Sequence, residues 1–200
     1  HLVRQAARAL GVGTARDIAN YYMLLTSYVG RGLERKRLFD EAMASSGLEQ
    51  VEVEGWDEPA FAHPDALKTR AAKTYRATLI SPFDSLVWAE PRVGGGPLRA
   101  RTFRLFNYDM VFEPYVPKEK RVHGYFTMPL LAGGRIAGHV DPAREGKTLV
   151  ARNVALHDPS VVDDMAAALR EAAAWVGCDA VRLDRVQPRS AAAPLKRALT

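Results

Sequence analysis

Hydrophobic residues recur at helical spacing along the first quarter of the chain. The spacing is interrupted at Gly11-Val12-Gly13 and ends at Gly47, a residue type that commonly terminates helices. The pattern predicts three helices: Leu2–Leu10, a helix that begins at Thr14, and Leu33–Ser45. Thr14 and Asp17 have the spacing of a capping box, which supports a helix start at Thr14.

A short β-hairpin is predicted after the third helix. Its strands are Leu48–Glu54 and Pro59–His63, and Gly55-Trp56-Asp57-Glu58 forms the turn between them. Three helices followed by a hairpin is the element order of a winged helix, in which the last helix usually enters the major groove of DNA. The first part of the chain is therefore predicted to be a winged helix.

The third helix carries both apolar and basic residues. Leu33, Leu38, Ala42 and Met43 are predicted to face inward, and Arg35 and Lys36 are candidate DNA contacts. The same cations also fit an ordinary solvated helix face, and the acidic hairpin that follows does not suit a contact with phosphates. Two interpretations stay open here: the module reads DNA, or a DNA-binding fold serves as a spacer.

Short strands are predicted after a linker helix over Pro64–Tyr75. Gly133-Gly134, which lies between apolar segments, is typical of a hairpin turn. The predicted strands are Thr78–Ile80, Tyr108–Tyr115, Val122–Leu131, Arg135–Val140 and Thr148–Leu156. Several short antiparallel strands with turn signals indicate a small barrel or a strongly bent sheet.

A further helix is predicted near the end of the chain. Ser160 and Asp163 have the spacing of a capping box at its start, and Val176 is its last inward residue. A half-buried strand is predicted around residues 181–183, where apolar and charged residues alternate.

Composition limits the possible functions. The 200 residues include 28 Lys and Arg against 23 Asp and Glu, and the pI near 9.5 favours a polyanionic partner. Cys178 is the only cysteine, which excludes an intrachain disulfide and fits a reducing compartment, so we expect the cytoplasm. No apolar run is long enough to span a bilayer. The chain opens at His1 in what is already a predicted helix, so we expect a fragment of a longer protein.

Catalytic and metal-ligating patterns are weak in this sequence. The five histidines lie far apart, and His139-Val140-Asp141 could place two ligand types on one strand face, an arrangement that alternating polar residues often produce by accident. We interpret these histidines as structural and expect neither a metal nor a cofactor. Cys178 follows a helix-ending glycine with no histidine nearby, so we expect it to pack in the core.

A basic loop with aromatic residues at both ends lies between two predicted strands. Lys118, Lys120 and Arg121 could neutralise DNA phosphates and displace counterions. His123 and Tyr125 follow in the same segment and complete the candidate contacts there. An ordinary solvated hairpin tip would have a similar composition, and sequence position alone does not separate the two interpretations.

Several motifs of the chain resemble one family in the right order. They are Leu79-Ile80-Ser81-Pro82-Phe83-Asp84-Ser85-Leu86-Val87-Trp88, Phe106-Asn107-Tyr108, Glu113-Pro114-Tyr115-Val116-Pro117-Lys118-Glu119-Lys120-Arg121, Gly124-Tyr125, Met128-Pro129-Leu130-Leu131 and Gly138-His139-Val140-Asp141. Together they resemble the bacterial YcaQ/AlkZ-type crosslink-repair DNA glycosylases. One departure is His139, which stands where relatives tend to carry Arg.

The resemblance implies tandem winged helices followed by a β-barrel, and hydrolysis of the N-glycosidic bonds of alkylated bases. In the family the chemistry belongs to a Gln-apolar-Gln or Gln-apolar-Asp motif in the N-terminal half. Gln50-Val51-Glu52 is superficially similar, but it lies on the predicted wing strand, so we assign it no catalytic role. The chain is thus expected to be the C-terminal half, and the 200 residues alone are expected not to release bases.

The combined prediction is an α+β chain with two domains. A winged-helix domain with its linker helix covers residues 1–75, and a small antiparallel β-barrel-like domain with a C-terminal helix and strand covers residues 76–200. The chain would bind double-stranded DNA as a monomer, as part of a glycosylase that excises alkylated bases or unhooks interstrand crosslinks. The alternative is a winged-helix transcription regulator with a ligand-sensing β domain, which would dimerise on palindromic sites. A third possibility is a purely structural fragment.

Overall fold

The computed structural model describes residues 1–25, 32–70, 75–87, 101–110 and 113–200. Within these residues the chain is a mixed α+β protein, as the sequence predicts. It divides into two compact units: unit 1 contains His1–Ala72 and Glu90–Leu105, and unit 2 contains Lys73–Ala89 and Phe106–Thr200. Trp88 of the sequence motif lies outside the described residues.

Unit 1 combines helices with a small sheet. Its elements are α1 (Leu2–Leu10), β1 (Val12–Thr14), α2 (Ala15–Tyr21), α3 (Gly32–Ala44), β2 (Glu49–Val51), β3 (Ala60–Ala62), α4 (Pro64–Lys68) and all but the last residue of α5 (Arg101–Phe106). The strands are antiparallel in the order β1–β3–β2. Strand β1 was not predicted, because three residues beside a glycine turn are too few to show an alternating pattern.

The predicted start of α2 is confirmed. The Thr14 hydroxyl accepts a hydrogen bond from the Asp17 N–H at 3.2 Å, and the Asp17 carboxylate accepts one from the Thr14 N–H at 2.7 Å. Two backbone donors that have no partner within the helix are thereby satisfied, which explains why the helix begins there.

The predicted inward face of α3 is confirmed at Ala42 and Met43 and wrong at Leu33 and Leu38. Leu33 and Leu38 are exposed, and the buried residue of this helix is Phe39. Ala42 and Met43, three and four residues after Phe39, are partly buried against the same core. The inward stripe therefore contains Phe39 in place of Leu33 and Leu38, because this large aromatic side chain packs against the core.

Two arginines of α5 are bonded within unit 1. Arg101 Nε donates to the Val12 carbonyl at 2.8 Å, and a terminal nitrogen donates to the Leu10 carbonyl. Arg104 pairs with the carboxylate of Asp17, and its guanidinium carbon lies 4.5 Å from the centre of a Trp56 ring. Burial lowers the pKa of Arg101. These contacts join α5 to α1, β1 and α2.

Unit 2 is built on an open sheet. Its elements are β4 (Thr78–Leu79), β5 (Met128–Ala132), β6 (Arg135–Glu145), β7 (Thr148–Leu156), α6 (Val162–Trp175), β8 (Ala180–Leu183), β9 (Val186–Gln187) and α7 (Ala192–Leu199). The strand order is β4–β5–β6–β7–β8, and β9 also pairs with β7. The predicted β7 is confirmed residue for residue, and Gly133 and Gly134 form the β5–β6 turn with positive φ of 57° and 76°.

The predicted antiparallel barrel is wrong. Strands β8 and β9 run parallel to β7, and the described strands do not close into a barrel. Helix α6 connects β7 to β8, and a connection of this length returns the chain in the same direction. The helix and α7 cover one face of the sheet, where Leu130, Met165 and Leu195 are fully buried; Cys178 packs in this core as predicted.

The segment before β5 contains less strand than predicted. Residues 113–115 and 118–120 form 3₁₀ turns, residues 122–127 are irregular, and residues 111–112 lie outside the described part. Pro114 and Pro117 lack an N–H for a strand ladder. The backbone N–H groups of residues 122–124 bond instead to the Glu113 carboxylate. These features explain why strands do not form there.

The start of α6 also differs from the prediction. Ser160 does not cap α6: the Asp158 carboxylate accepts from the Ser160 N–H at 2.9 Å and caps the short 3₁₀ turn Pro159–Val161, and Val161 at the start of α6 forms no side-chain capping bond. The hydrogen bond from the Ser160 N–H is the largest cause that lowers the pKa of Asp158 to about 2. Val176 is partly exposed and is not the inward residue expected. Among the described helices, none is long and apolar enough to cross a membrane.

Candidate nucleic-acid interface

The basic loop of unit 2, residues 116–125, carries two exposed lysines. Lys118 and Lys120 belong to a short 3₁₀ turn that Pro117 precedes, and both side chains are exposed. Within the described part of the chain, neither lysine forms an ion pair with a carboxylate, although Glu119 lies between them. Both positive charges are therefore available to an anion.

The carboxylate of Glu113 binds the backbone of this loop. Glu113 is 2% exposed, and its carboxylate accepts hydrogen bonds from three consecutive backbone N–H groups, at 2.5 Å from Val122, 2.8 Å from His123 and 2.7 Å from Gly124. Hydrogen bonds to an ionised acceptor are about twice as strong as neutral ones. One carboxylate thus fixes the backbone that carries the second half of the loop.

Arg121 has a different position from the two lysines. Its Nε donates to the carbonyl oxygens of Val116, at 2.9 Å, and Glu113, at 3.2 Å. The guanidinium lies over the ring of Tyr125, 4.9 Å from the ring centre. Arg121 is half-buried and is bonded within the loop, whereas Lys118 and Lys120 extend from it.

The loop is also bonded to the strands beneath it. Asp141 on β6 accepts from the Phe126 N–H at 2.9 Å, and Asn153 on β7 donates to the His123 carbonyl at 2.9 Å. Gly124 has a φ of 137°, and a Cβ there would lie 2.3 Å from the Asp141 carboxylate. The loop therefore approaches the sheet more closely than any residue with a side chain at position 124 would permit.

A cluster of imidazoles lies under the loop. The ring of His139 is 4.5 Å from that of His123 and 5.6 Å from that of His157, centre to centre, and 6.4 Å from Tyr108. His139 is 4% exposed, and neither ring nitrogen has a hydrogen-bond partner among the described residues. Burial, followed by His123 and His157, lowers the pKa of His139 to about 4.

The same surroundings affect Tyr108. Burial, then Glu113 and Asp109, raises the pKa of its hydroxyl to about 12. The side chain therefore stays neutral at physiological pH. No group of three His, Cys, Asp or Glu side chains in the described ranges is arranged to hold a metal ion.

Sequence reasoning did not identify this cluster, because its members are far apart in the chain. His139 on β6 pairs with Ala155 on β7, which places His157, two residues after Ala155, close to His139. A correct β6–β7 register would therefore have predicted the contact between His139 and His157. Nothing in the sequence indicates the contact with His123, which depends on how Glu113 folds the loop.

The two candidate residues of α3 lie in unit 1. Lys36 forms an ion pair with Asp40, four residues later, at 2.6 Å, and both side chains are largely exposed. Arg35 is half-buried on the same helix, and Arg37 pairs with Glu41 at 3.7 Å. The structure thus brings Lys118, Lys120, Arg121, His123 and Tyr125 into one loop and places Arg35 and Lys36 in a second, separate set.

Comparison with known proteins identifies the family. Residues 1–177 match the model of the AlkZ-like DNA glycosylases, a range that includes unit 1, the basic loop and the histidine cluster. No solved structure matches the chain. The family match confirms the resemblance found in the sequence motifs, and DNA is the substrate of enzymes in this class. This chain belongs to the AlkZ-like DNA glycosylase family.

Proposed function

We propose that this chain binds double-stranded DNA as a monomer, in a glycosylase that excises alkylated bases or unhooks interstrand crosslinks. The observation that carries the proposal is the pair of exposed lysines, Lys118 and Lys120, on a loop that Glu113 holds in place. Exposed cations without acidic partners can neutralise phosphates and release counterions, which supplies most of non-specific affinity for DNA.

Unit 1 is proposed to be a winged helix. The order α1–β1–α2–α3–β2–β3, with antiparallel strands in the order β1–β3–β2, supports this assignment. In this fold α3 would be the helix that approaches a groove, with Arg35 and Lys36 as its candidate contacts. The hairpin after it is acidic, with Glu52, Glu54 and Asp57, and is a poor phosphate contact.

The loop of unit 2 is the stronger of the two candidate contacts. Lys36 Nζ lies 2.6 Å from a carboxylate oxygen of Asp40, so its positive charge is already partly neutralised in the free protein. An exposed pair of this kind contributes little to stability and can open, but the carboxylate stays close to any phosphate that Lys36 approaches. Among the described residues, no carboxylate pairs with Lys118 or Lys120, although Glu119 between them reduces the net charge of the turn.

Duplex binding as a function of salt concentration tests this proposal. For Lys118→Ala/Lys120→Ala we expect weaker binding and a slope of log affinity against log salt that is smaller by about 2, because two phosphate contacts are lost. Lys196→Ala removes an exposed cation from α7 and is the matched control, which should bind like the unaltered chain.

Two outcomes would contradict the assignment of the loop. One is that the double variant binds DNA with unchanged affinity and slope. The other is that Arg35→Ala/Lys36→Ala abolishes binding while the loop variant retains it, which would make α3 the reader. Tight binding of a dimer to one palindromic sequence would instead favour a transcription regulator.

A further inference from the structure

Two aromatic side chains are exposed next to the basic loop. Tyr125 is 53% exposed at the end of the loop, and Phe83 is 57% exposed in the turn after β4. The Phe83 ring lies 5.9 Å from the ring of Phe126, the residue that follows Tyr125. An aromatic side chain usually buries most of its surface, so two such rings beside one loop indicate a surface that contacts something else.

The ring of Tyr125 is held in a fixed position. The backbone on either side is bonded, since the Gly124 N–H donates to Glu113 at 2.7 Å and the Phe126 N–H donates to Asp141 at 2.9 Å. Arg121, itself bonded to two carbonyl oxygens, covers the ring at 4.9 Å. A surface that is ordered before binding loses little entropy when a partner arrives.

Phe83 is supported in a similar way. The turn that carries it is closed by a hydrogen bond from its own N–H to the Ser81 hydroxyl, at 3.2 Å, and by one from the Leu86 N–H to the Asp84 carboxylate, at 2.8 Å. Its ring is therefore presented by a short, locally bonded turn and packs against Phe126.

The charges around these rings indicate the kind of partner. Lys118, Lys120 and Arg121 precede Tyr125 in the same loop, so a partner must offer flat π surface together with negative charge. A nucleobase joined to its phosphates has both properties, and stacking on aromatic rings or on guanidinium groups is how proteins bind bases outside the duplex. An acidic protein segment would supply the charge but no flat surface.

We propose that Tyr125, stacked with Arg121, and Phe83 form a surface on which an unpaired nucleobase stacks, as occurs where a damaged pair opens. This inference rests on the proposed function, because it requires that the loop contacts DNA. It assigns Lys118 and Lys120 to the phosphates, and Tyr125 and Phe83 to a base that has left the duplex stack.

Two DNA probes test the inference with the full 200-residue chain. One is a duplex with a single unpaired 2-aminopurine, and the other is the same duplex with 2-aminopurine paired to thymine. We expect tighter binding to the first probe and a loss of its fluorescence as the base stacks. Tyr125→Ala should reduce the ratio of the two affinities about tenfold, within the range known for loss of one stacked base. Phe83→Ala should reduce the ratio in the same direction.

Matched variants separate stacking from other effects. Tyr125→Phe keeps the ring and should keep the preference, whereas Lys118→Ala/Lys120→Ala should weaken binding to both probes alike. Trp175→Ala removes an aromatic residue that is 89% exposed on α6 and should change neither affinity. Circular dichroism and thermal unfolding of each variant show whether its fold is retained.

The possible failures are distinguishable. If the unaltered chain binds both probes equally well, with no change in fluorescence, the stacking surface is disproved while the proposed duplex binding stands. If Trp175→Ala loses the preference and Tyr125→Ala retains it, the surface has been assigned to the wrong residues. If the unaltered chain binds neither probe, both the proposed function and this inference are wrong.

Discussion

The ring of His123 lies edge-on to the ring of His139, with 4.5 Å between their centres and an angle of 72° between their planes. One ring belongs to the basic loop and the other to β6, so this contact links the loop to the sheet. Because the ring of His157 is also close, at 5.6 Å, protonation of His139 would place a buried positive charge beside two further imidazoles. The folded protein therefore favours neutral His139.

The first prediction concerns pH. The pKa of His139 is lowered from 6.5 to about 4, with burial as the main cause, while the unfolded chain retains the ordinary value. The unfolded state thus binds more protons between pH 6.5 and pH 4, so the free energy of unfolding should fall by up to about 3 kcal/mol as pH decreases through this range. Above pH 6.5 this contribution is constant.

Urea unfolding at several pH values measures this effect. Carboxylates also titrate near pH 4, so the informative quantity is the difference between the unaltered chain and His139→Gln, which has no titrating ring. We expect the variant to lose less stability between pH 6.5 and pH 4.5 than the unaltered chain does. Parallel curves for the two proteins would show that His139 is not the group responsible.

The second prediction concerns Glu113. Truncating the side chain to a methyl group in Glu113→Ala leaves three backbone N–H groups in a partly buried place without their acceptor. We expect a loss of stability of about 1–3 kcal/mol, the typical consequence of a buried polar group without its partner. Hydrogen exchange at residues 122–124 should become faster. Glu119→Ala, which changes an exposed acid of the same loop, should affect neither measurement.

Comparison of the region around Glu113 with the other elements shows which parts of the fold the sequence could predict. Helices α1 and α2, strand β7 and the Gly133-Gly134 turn follow from local rules of spacing, capping and turn chemistry, and the structure agrees with each. The sequence predicts strands in the region before β5, as part of a series of short strands separated by turn signals. The Glu113 carboxylate binds three consecutive backbone N–H groups there, and these groups are then not available for a strand ladder. No local sequence rule predicts this contact.

The strand order in the sheet of unit 2 could not be predicted from local sequence rules either. The sequence predicts most of its strands but not their order, and the barrel was inferred from strand number and turn signals alone. Strands β8 and β9 pair with β7 because α6 returns the chain across the sheet, which depends on packing between distant residues. The cations of the loop were found from composition, whereas the histidine cluster depends on that tertiary arrangement.

The third prediction concerns Asp17. Its carboxylate is buried, accepts from the Thr14 N–H at 2.7 Å and pairs with Arg104. Asp17→Ala should reduce the free energy of unfolding of unit 1 by about 3 kcal/mol, because it leaves a largely buried guanidinium without its anion. Asp40→Ala removes an exposed partner of Lys36 and should change it by less than about 0.5 kcal/mol. Similar unfolding midpoints for the two variants would contradict the assigned role of Asp17.

The last prediction concerns the approach of the loop to the sheet at Gly124. Its φ of 137° is rare for residues with side chains, and a Cβ there would lie 2.3 Å from the Cγ and Oδ2 atoms of Asp141. Since Asp141 is itself bonded to the Phe126 N–H, it cannot move away without losing that bond. Gly124→Ala should therefore lower stability by more than about 2 kcal/mol, above the cost of a positive φ alone, and displace the loop that carries Lys118 and Tyr125.

Gly134, a second glycine with a positive φ but with more space around it, provides the control for this variant. Gly134 also has a positive φ, of 76°, but a Cβ there would meet no atom within 4 Å. Gly134→Ala should therefore show the cost of a positive φ without a steric clash, roughly 1–2 kcal/mol, and leave DNA affinity unchanged. Gly124→Ala should lose both stability and affinity for duplex DNA, because the displaced loop carries the proposed contacts. If the two variants are equally stable and bind DNA equally well, the close contact between Gly124 and Asp141 does not determine the position of the loop.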